Sequence, residues 1–240
     1  MRSKWFVVAA AVPALLASAP AHAQVLIGAL LGDKLASKTF NMGFEIGLNF
    51  SDLDGFSESE RVNRTVFGLC ADWRFSQNFH LGGAVLPFAG RGATSLPPVP
   101  TGDPEFDAQT AGGSMERTLG YVEIPVLLRW APKRDEGFRM GAGPSFGIVT
   151  GATDRYDATS TAGTSYTLER DISDGLPGLD MGVSFDVEWR FRMLSIAARY
   201  TQGLTDMRHP GAPDAIHTRV LTGTGRIYLG KKPAEVTTEP

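Results

Sequence analysis

The chain has a single cysteine, Cys70, and downstream of its first residues it lacks any run of about 18 apolar residues. One cysteine excludes an intrachain disulfide, and the missing run argues against a helical membrane protein. The formal net charge of -3 provides no basic surplus, so a nucleic-acid partner is not expected. No CxxC motif or cationic helix terminus surrounds Cys70, which favours a small filler over a reactive thiol.

The first residues have the order of a secretory signal peptide. Arg2 and Lys4 supply the positive charge, Trp5–Leu16 is apolar, and Ala21–Ala23 is a small-x-small cleavage site. An N-terminal membrane anchor is the alternative, but the apolar stretch is short and wrongly flanked for one. We therefore expect residues 1–23 to be removed and the mature chain to begin at Gln24.

Alternation of apolar and polar residues is the main pattern of the mature chain. In Leu179–Phe191 every odd position is apolar, whereas the even positions are small, polar or charged. Period two predicts a strand with two distinct faces. Here the apolar face is continuous and the other face carries full charges, which favours lipid outside and a polar, charge-paired interior.

Eight such segments are long enough to cross a bilayer as tilted strands. Short connections alternate with long ones, as in outer-membrane barrels, where the short turns are periplasmic. The sequence predicts an all-β fold: an eight-stranded antiparallel up-and-down transmembrane β-barrel with a filled polar lumen, over residues 39–230. The predicted strands are Thr39–Phe50, Thr65–Phe75, Phe79–Ala89, Arg117–Trp130, Phe138–Val149, Leu179–Phe191, Met193–Thr205 and His217–Gly230.

Two segments lie outside this barrel. Residues 24–38 include the apolar run Val25–Lys34, which is too short to span as a helix and is expected to form a short helix at the periplasmic mouth. Residues 231–240 are polar with two prolines and are expected to be a disordered periplasmic tail.

The polar phase of the strands holds balanced acids and arginines and no lysine. An eight-stranded barrel has an interior that side chains fill, so buried charges there must pair. Arginine suits this role because its guanidinium satisfies several acceptors at once. We interpret these residues as a structural lumenal ion-pair network with no catalytic role: Glu45, Asp72, Arg74, Glu123, Arg129, Arg139, Asp180, Asp186, Glu188, Arg190, Arg199 and Arg226.

The short connection at Arg192 and Met193 allows a more specific prediction. A two-residue hairpin turn would place Phe191 opposite Leu194 and Asp186 opposite Arg199. A slip by one residue would send charges into lipid, so the hydrophobic pattern determines the parity. The resulting hypothesis is an Asp186–Arg199 salt bridge shared with Glu188 or Glu45.

Three tryptophans, Trp73, Trp130 and Trp189, fall in the apolar phase just before short turns. Tryptophan prefers the membrane–water interface, where its ring contacts lipid and its N–H is hydrated. The three residues therefore predict an interfacial aromatic girdle at one rim. Ordinary core aromatics, the alternative, would not sort to one edge.

Motifs that could indicate chemistry are weak. Gly143–Gly147 matches G-x-S-x-G but lies within a strand, without the strand-to-helix elbow that the motif requires. His80, His209 and His217 lack metal-ligand spacing, and His80 is expected to face the lumen near Arg74. No catalytic residue, cofactor or metal is predicted.

Three segments in order, Leu119–Leu128 (LGYVEIPVLL), Met140–Gly147 (MGAGPSFG) and Leu194–Leu204 (LSIAARYTQGL), resemble the PorT-type family of outer-membrane β-barrel proteins, common in Bacteroidetes. The likeness extends over nearly the whole mature chain and implies an eight-stranded outer-membrane barrel. It implies no single activity, because some members take part in protein secretion or gliding. The chain departs from the usual aromatic carboxy end, since a polar tail follows Tyr228.

Three functions remain open from the sequence. The first is a non-enzymatic, monomeric outer-membrane barrel of a Gram-negative bacterium, in contact with outer-membrane lipid. It would have a structural or adhesion role, or assist a secretion system through an envelope protein partner. The second is an outer-membrane lipid-modifying enzyme, and the third is a soluble periplasmic calycin-like barrel that binds a ligand. A calycin would require an apolar interior, whereas the polar phase here is charged.

Overall fold

A computed structural model describes the molecule. The predicted signal peptide (1–23), amino-terminal segment (24–38) and carboxy-terminal tail (231–240) lie outside the described residues. Within the described part, no helix combines the length and apolar character needed to cross a membrane. The structure describes residues 39–56, 58–100, 103–110, 112–133, 136–159, 165–208 and 214–229.

Ten strands, one short helix and one 3-10 turn make up the regular structure of these residues. The helix α1 spans Pro104–Thr110 and the 3-10 turn spans Ser173–Gly175. The strands are β1 Phe40–Asp54, β2 Glu60–Arg74, β3 Phe79–Val85, β4 Arg91–Leu96, β5 Ser114–Trp130, β6 Gly137–Thr159, β7 Ser165–Asp171, β8 Leu179–Phe191, β9 Leu194–Gly203 and β10 His217–Leu229.

The strands close into an antiparallel barrel, because β1 pairs with both β2 and β10. The barrel has eight wall positions although ten strands contribute to it. β3 and β4 share one position, each lying between β2 and β5. β6 similarly pairs first with β8 and then with β7. The predicted eight-stranded up-and-down barrel is therefore confirmed.

The two ends of the barrel differ. We call the end with the tight connections at 75–78, 131–136 and 192–193 the turn end, and the opposite end the loop end. Arg192 has a φ of 52°, the left-handed conformation that a two-residue hairpin requires. The register around this hairpin is the predicted one, with Phe191 opposite Leu194 and Asp186 opposite Arg199.

The loop end contains more regular structure than the sequence predicts. Residues 90–116 and 150–178, both interpreted as long loops, contain β4, α1 and β7. β6 also continues past the predicted end at Val149. Thr150 is an extra residue there, because Gly120 pairs with Gly151 and Tyr121 pairs with Val149. This bulge shifts the alternation of inward and outward side chains by one residue. The apolar–polar pattern of the sequence therefore breaks at Thr150, where the predicted strand stops.

Burial alternates along each strand as the period-two pattern predicts. In β8 the odd positions are exposed except for the half-buried Val183, and the even positions are buried. The outer surface therefore carries large exposed apolar side chains from most wall strands. Those more than half exposed include Ile46, Phe75, Phe88, Leu128, Phe185, Phe191, Leu194 and Ile196.

The interior has two parts, whereas the sequence predicted a polar lumen throughout. Charged and hydroxyl side chains fill the part nearer the turn end. Near the loop end an apolar cluster closes the barrel, because the β1–β2, β3–β5, β6–β8 and β9–β10 connections fold over it. We call the loop-end part of this cluster the apolar cap; it consists of Leu53, Leu86, Leu96, Val99, Met115, Leu119, Ile172, Met207 and Ile216.

Candidate functional site

The charged interior is the most chemically distinctive part of the molecule. Every residue of the predicted lumenal network except Arg74 is buried. Arg74 is half-buried at the end of β2, opposite His80 in the strand register. Because a buried charge is costly without a partner, the contacts of these residues decide what the interior does.

Asp72 is the centre of the ion pairs nearest the turn end. Its carboxylate accepts a hydrogen bond from Arg139 Nη1 at 3.1 Å and lies 3.5 Å from Arg190 Nη1. His80 Nδ1 is 2.9 Å from the same oxygen, so the imidazole lies in the interior, as the sequence predicted, with Asp72 as its polar partner. Arg129 Nη1 approaches the other oxygen at 3.5 Å. Four basic side chains therefore surround one carboxylate.

Arg226 is the centre of the middle group. Its Nε donates to Glu45 at 2.9 Å, its Nη1 to Glu188 at 2.8 Å and its Nη2 to Asp186 at 2.8 Å. Arg199 also donates to Glu45. One guanidinium thus satisfies three carboxylates from β1 and β8, which is the multidentate geometry that arginine provides and lysine does not.

Arg129 joins the first two groups. Its Nε donates to Asp186 at 3.0 Å, while its Nη1 lies 3.5 Å from Asp72 and 3.7 Å from Glu188. Because these carboxylates come from β2 and β8, on opposite sides of the lumen, the side chain of Arg129 bridges the barrel. The ion pairs of these two groups therefore form one connected network across the interior.

A third group lies nearer the loop end and centres on Arg91. Its guanidinium contacts Glu123 at 3.0 Å, Asp180 at 3.0 Å and the Thr218 hydroxyl at 3.1 Å. The ring of Tyr121 lies below it, with 4.5 Å between Cζ and the ring centroid. The Tyr121 hydroxyl donates to Asp180 at 3.2 Å. Arginine again pairs with two acids while an aromatic face covers it.

The sequence missed Arg91, and it also missed a buried ion pair that lies among the residues of the apolar cap. Arg117 donates to Asp154 through Nε at 2.7 Å and Nη2 at 2.6 Å, and both side chains are buried. Arg91 and Asp154 were placed in loops, where alternation cannot be applied. Neither 91–96 (RGATSL) nor 152–159 (ATDRYDAT) has strong β-propensity, and the bulge at Thr150 hid the continued strand phase of β6.

The predicted Asp186–Arg199 salt bridge is wrong, although the register behind it is right. Arg199 turns toward Glu45, and Asp186 pairs with Arg129 and Arg226 instead. Strand register places residues on neighbouring strands. In a narrow barrel, however, long arginines also reach acids on strands across the lumen, and pairing by register does not include those contacts.

The three tryptophans lie at the turn end on the outer surface. Trp73, Trp130 and Trp189 are 49%, 40% and 48% exposed, which is high for indole rings. The strand pairing places Trp73 opposite Phe40 and Trp130 opposite Phe79. The three tryptophans lie at the same height on one rim, which is the arrangement expected if this rim lies at the membrane–water interface.

The other residues that the sequence offered as possible nucleophiles or metal ligands are buried or lack a suitable arrangement. Ser145 of the G-x-S-x-G sequence is buried in β6 and donates to Glu123 at 3.3 Å. Cys70 is buried in the interior as a free thiol. Among the described residues, no group of acidic, histidine or cysteine side chains has the arrangement of a metal site.

Comparison with known proteins gives one family. The model of the outer membrane protein beta-barrel domain matches residues 23–208, which is more than half of the chain. No curated protein sequence matches the chain.

Several solved structures are similar to the chain at low identity. Ail, the attachment invasion locus protein of Yersinia pestis, was solved with the heparin analogue sucrose octasulfate. It is 10% identical with a TM-score of 0.41, over 79% of this chain and 99% of that one. Neisserial surface protein A is 8% identical with a TM-score of 0.37, over 78% and 96%. The Escherichia coli outer membrane protease OmpT is 9% identical with a TM-score of 0.31, over 79% and 96%.

Proposed function

Because the chain belongs to the outer membrane protein beta-barrel domain family, we propose that it is a non-enzymatic outer-membrane barrel with a structural or adhesion role, or an accessory role in secretion. The filled interior carries the proposal. Ion pairs occupy the part near the turn end, and the apolar cap closes the loop end. An interior built this way stabilises the barrel and offers no wide aqueous path.

The outer surface supports a membrane location. A water-soluble calycin-like barrel would bury apolar side chains inside and expose polar ones. Here the interior contains paired acids and arginines, while Phe185, Ile196 and Leu128 are 56%, 61% and 52% exposed. That inversion matches a strand wall with lipid outside.

Orientation and processing are part of the proposal. The turn end with its three tryptophans faces the periplasm, and the loop end faces outside, as is usual for outer-membrane barrels. The signal peptide is removed before Gln24. The barrel acts as a monomer, and its partner is an envelope, secretion-system or extracellular protein.

We retain membership of the PorT-type group as part of this proposal. The motif Leu119–Leu128 occupies the middle of β5, and its acidic residue, Glu123, is a buried partner of Arg91. In this chain the motif glutamate therefore has a structural role. That role agrees with a non-enzymatic barrel and does not favour the lipid-modifying alternative.

Whole-cell labelling tests the orientation directly. One variant carries an epitope tag between β6 and β7, within residues 160–164, and a matched variant carries it at Gln77 in the β2–β3 turn. We expect antibody to label intact cells with the first tag, and to label the second only after the outer membrane is permeabilised. Labelling of Gln77 on intact cells would reverse the topology.

Three measurements test the sealed interior and the membrane location. We expect the barrel to fractionate with outer membranes and to show heat-modifiable gel mobility. In planar bilayers we expect no stable conductance steps. A steady open channel would contradict the filled interior, and recovery of the protein in soluble periplasm would favour the calycin-like alternative.

A further inference from the structure

An apolar groove lies on the outer wall of the barrel, beside Trp73 at the turn end. We call it the wall groove, and its lining includes Phe40, Ala71, Trp73, Leu81, Gly83 and Val126. Its volume is about 430 Å³, which falls within the range of about 300–1,000 Å³ that is usual for ligand pockets. The groove is therefore large enough to accept several side chains of another segment.

The groove forms because one row of outward-facing residues is small. The strand register places Ala71 of β2 opposite Gly83 of β3. The next row toward the turn end has Trp73 opposite Leu81, and the next row toward the loop end begins with Leu69. Small residues on a wall that faces lipid let a second backbone approach closely. The groove is thus suited to a compact apolar segment.

The chain enters the barrel at this groove. Phe40 is the first residue of β1, it contributes to the groove lining, and the register places it opposite Trp73. The sequence ahead of it contains the apolar run Val25–Leu31 (VLIGALL), which follows the predicted cleavage site. An apolar run that remains in the mature chain is stabilised by a surface that removes it from water.

The linker between the run and β1 is long enough to return to the groove. Eight residues, 32–39, separate Leu31 from Phe40. Fully extended, they span at most about 26 Å. The far wall of the groove is only a few strands from β1, and neighbouring strands are about 4.8 Å apart. A tether of this length also keeps the run near the groove at a roughly millimolar effective concentration.

We propose that the wall groove binds the apolar run Val25–Leu31 of its own chain. The aliphatic side chains of the run fill the space above Ala71 and Gly83, and its central Gly28 and Ala29 allow close approach to the wall. The contact fastens the amino end of the mature chain to the barrel. It goes beyond the proposed function, because it assigns a binding surface to a part of the wall that otherwise meets only lipid.

Two other occupants could fill an apolar groove at this place. A phospholipid acyl chain is abundant around the barrel, but it is not tethered to β1 and would give the run no fixed position. A second copy of the chain would insert its own run or a bulky side chain of its wall, and contacts would then form between molecules. The test separates both cases from the proposed one.

Cysteine cross-linking tests where the run lies. The background is Cys70→Ala, and Ala29→Cys marks the run. The second cysteine is either Leu81→Cys in the groove or Ile196→Cys as the matched control. Both positions are exposed, and each is the third residue of its strand. Because β3 and β9 each lie two wall positions from β1, the linker reaches both.

The mature chain is held in nanodiscs of zwitterionic phosphatidylcholine, as an equal mixture of isotope-labelled and unlabelled protein. A short bismaleimide joins nearby cysteines, and mass spectrometry of tryptic peptides quantifies the products. We expect cross-links from position 29 to position 81 to exceed those to position 196 by about tenfold or more. We expect both peptides of each product to carry the same isotope label.

Filling the groove tests whether the groove itself holds the run. Ala71→Leu adds an apolar side chain to the groove, and Ala198→Leu makes the same change at an exposed outer position of β9. We expect Ala71→Leu to lower the cross-link at position 81 by about fivefold or more, and Ala198→Leu to leave it nearly unchanged. Heat-modifiable gel mobility identifies the folded variants, and Ala71→Val provides a smaller filling if Ala71→Leu does not fold.

Several results would overturn the proposal. Equal cross-linking at positions 81 and 196, or none at either, would mean that the run does not bind the groove. Products that join the two isotope labels would make a second copy the occupant. An unchanged cross-link in the filled variants would leave the groove to an acyl chain. None of these results depends on which end of the barrel faces the periplasm, which the tag labelling tests separately.

Discussion

The guanidinium of Arg129 lies directly against the backbone of Gly82 on the inner wall of the barrel. A Cβ at position 82 would stand 2.2 Å from Arg129 Nη1 and 2.6 Å from Cζ, closer than atoms can approach. Glycine is therefore needed at this position so that Arg129 can cross the lumen and reach Asp72 and Asp186. The size of one residue on β3 determines the position of the bridging arginine.

Gly82→Ala should destabilise the barrel. The added methyl group must displace the Arg129 guanidinium, and overpacking of this kind costs about 1–3 kcal/mol, before any loss of ion pairing. Gly225→Ala is the matched control, because a Cβ there meets nothing within 4 Å. Urea unfolding in lipid vesicles, followed by tryptophan fluorescence, measures both variants. Equal stability of the two would mean that Arg129 is not held against Gly82.

Arg226→Met should be among the most damaging substitutions in the interior. It leaves Glu45, Asp186 and Glu188 without their shared cation, and breaking a buried pair in this way costs about 3–5 kcal/mol. Arg219→Met removes an arginine from the same strand, but Arg219 is 40% exposed and contacts Asp52 at 3.3 Å near the surface. We expect that control to cost less than about 1 kcal/mol. The same unfolding measurement compares them.

A double-mutant cycle distinguishes the observed partner of Arg199 from the one that register alone suggests. We expect the cycle of Glu45→Ala with Arg199→Ala to show a coupling free energy of about 0.5–3 kcal/mol, because the two side chains are in contact. The cycle of Asp186→Ala with Arg199→Ala should give a smaller value, since Asp186 keeps Arg129 and Arg226. A larger coupling free energy in the second cycle would favour an Asp186–Arg199 salt bridge instead.

The alternating pattern predicted the wall of the barrel because lipid and a packed interior impose period two on every crossing strand. It located β8 with its observed bounds and the hairpin register down to Asp186 opposite Arg199. The same pattern assigned the polar residues of the network to the inner phase. These features depend only on which face of a regular strand each residue occupies and on the pairing of adjacent strands. The alternation of apolar and polar residues reports both.

Features that depend on irregular backbone or on distant contacts were not predictable in this way. The bulge at Thr150 shifts the phase of β6, so its continuation and β7 resembled a loop. β4 follows a break in the wall and is short, so Arg91 was missed. The partner of Arg199 is on β1, two wall positions from β9, so strand pairing does not identify it and only the packed structure selects it.

The last prediction concerns the outer face at the middle of β8. Phe185 is 56% exposed, and replacing it by arginine puts a charge in lipid, at a cost of about 2–4 kcal/mol near the midplane of a barrel. Phe185→Leu is the matched control, because it keeps an apolar side chain at the same site, and we expect little change. Reversible unfolding in vesicles gives the two free energies.

The neighbouring position shows why the control must be on the same face. Ser184 is fully buried and its hydroxyl lies 2.7 Å from that of Thr201, so arginine at 184 would be overpacked although the interior is polar. Ser184→Arg is therefore expected to be damaging for a reason of volume, whereas Phe185→Arg is damaging for a reason of charge. Thinner bilayers separate the two, because a shorter path to the interface lowers the cost of a charge in lipid and leaves overpacking unchanged. If Phe185→Arg were as stable as Phe185→Leu in bilayers of every thickness, this face of β8 would not contact lipid.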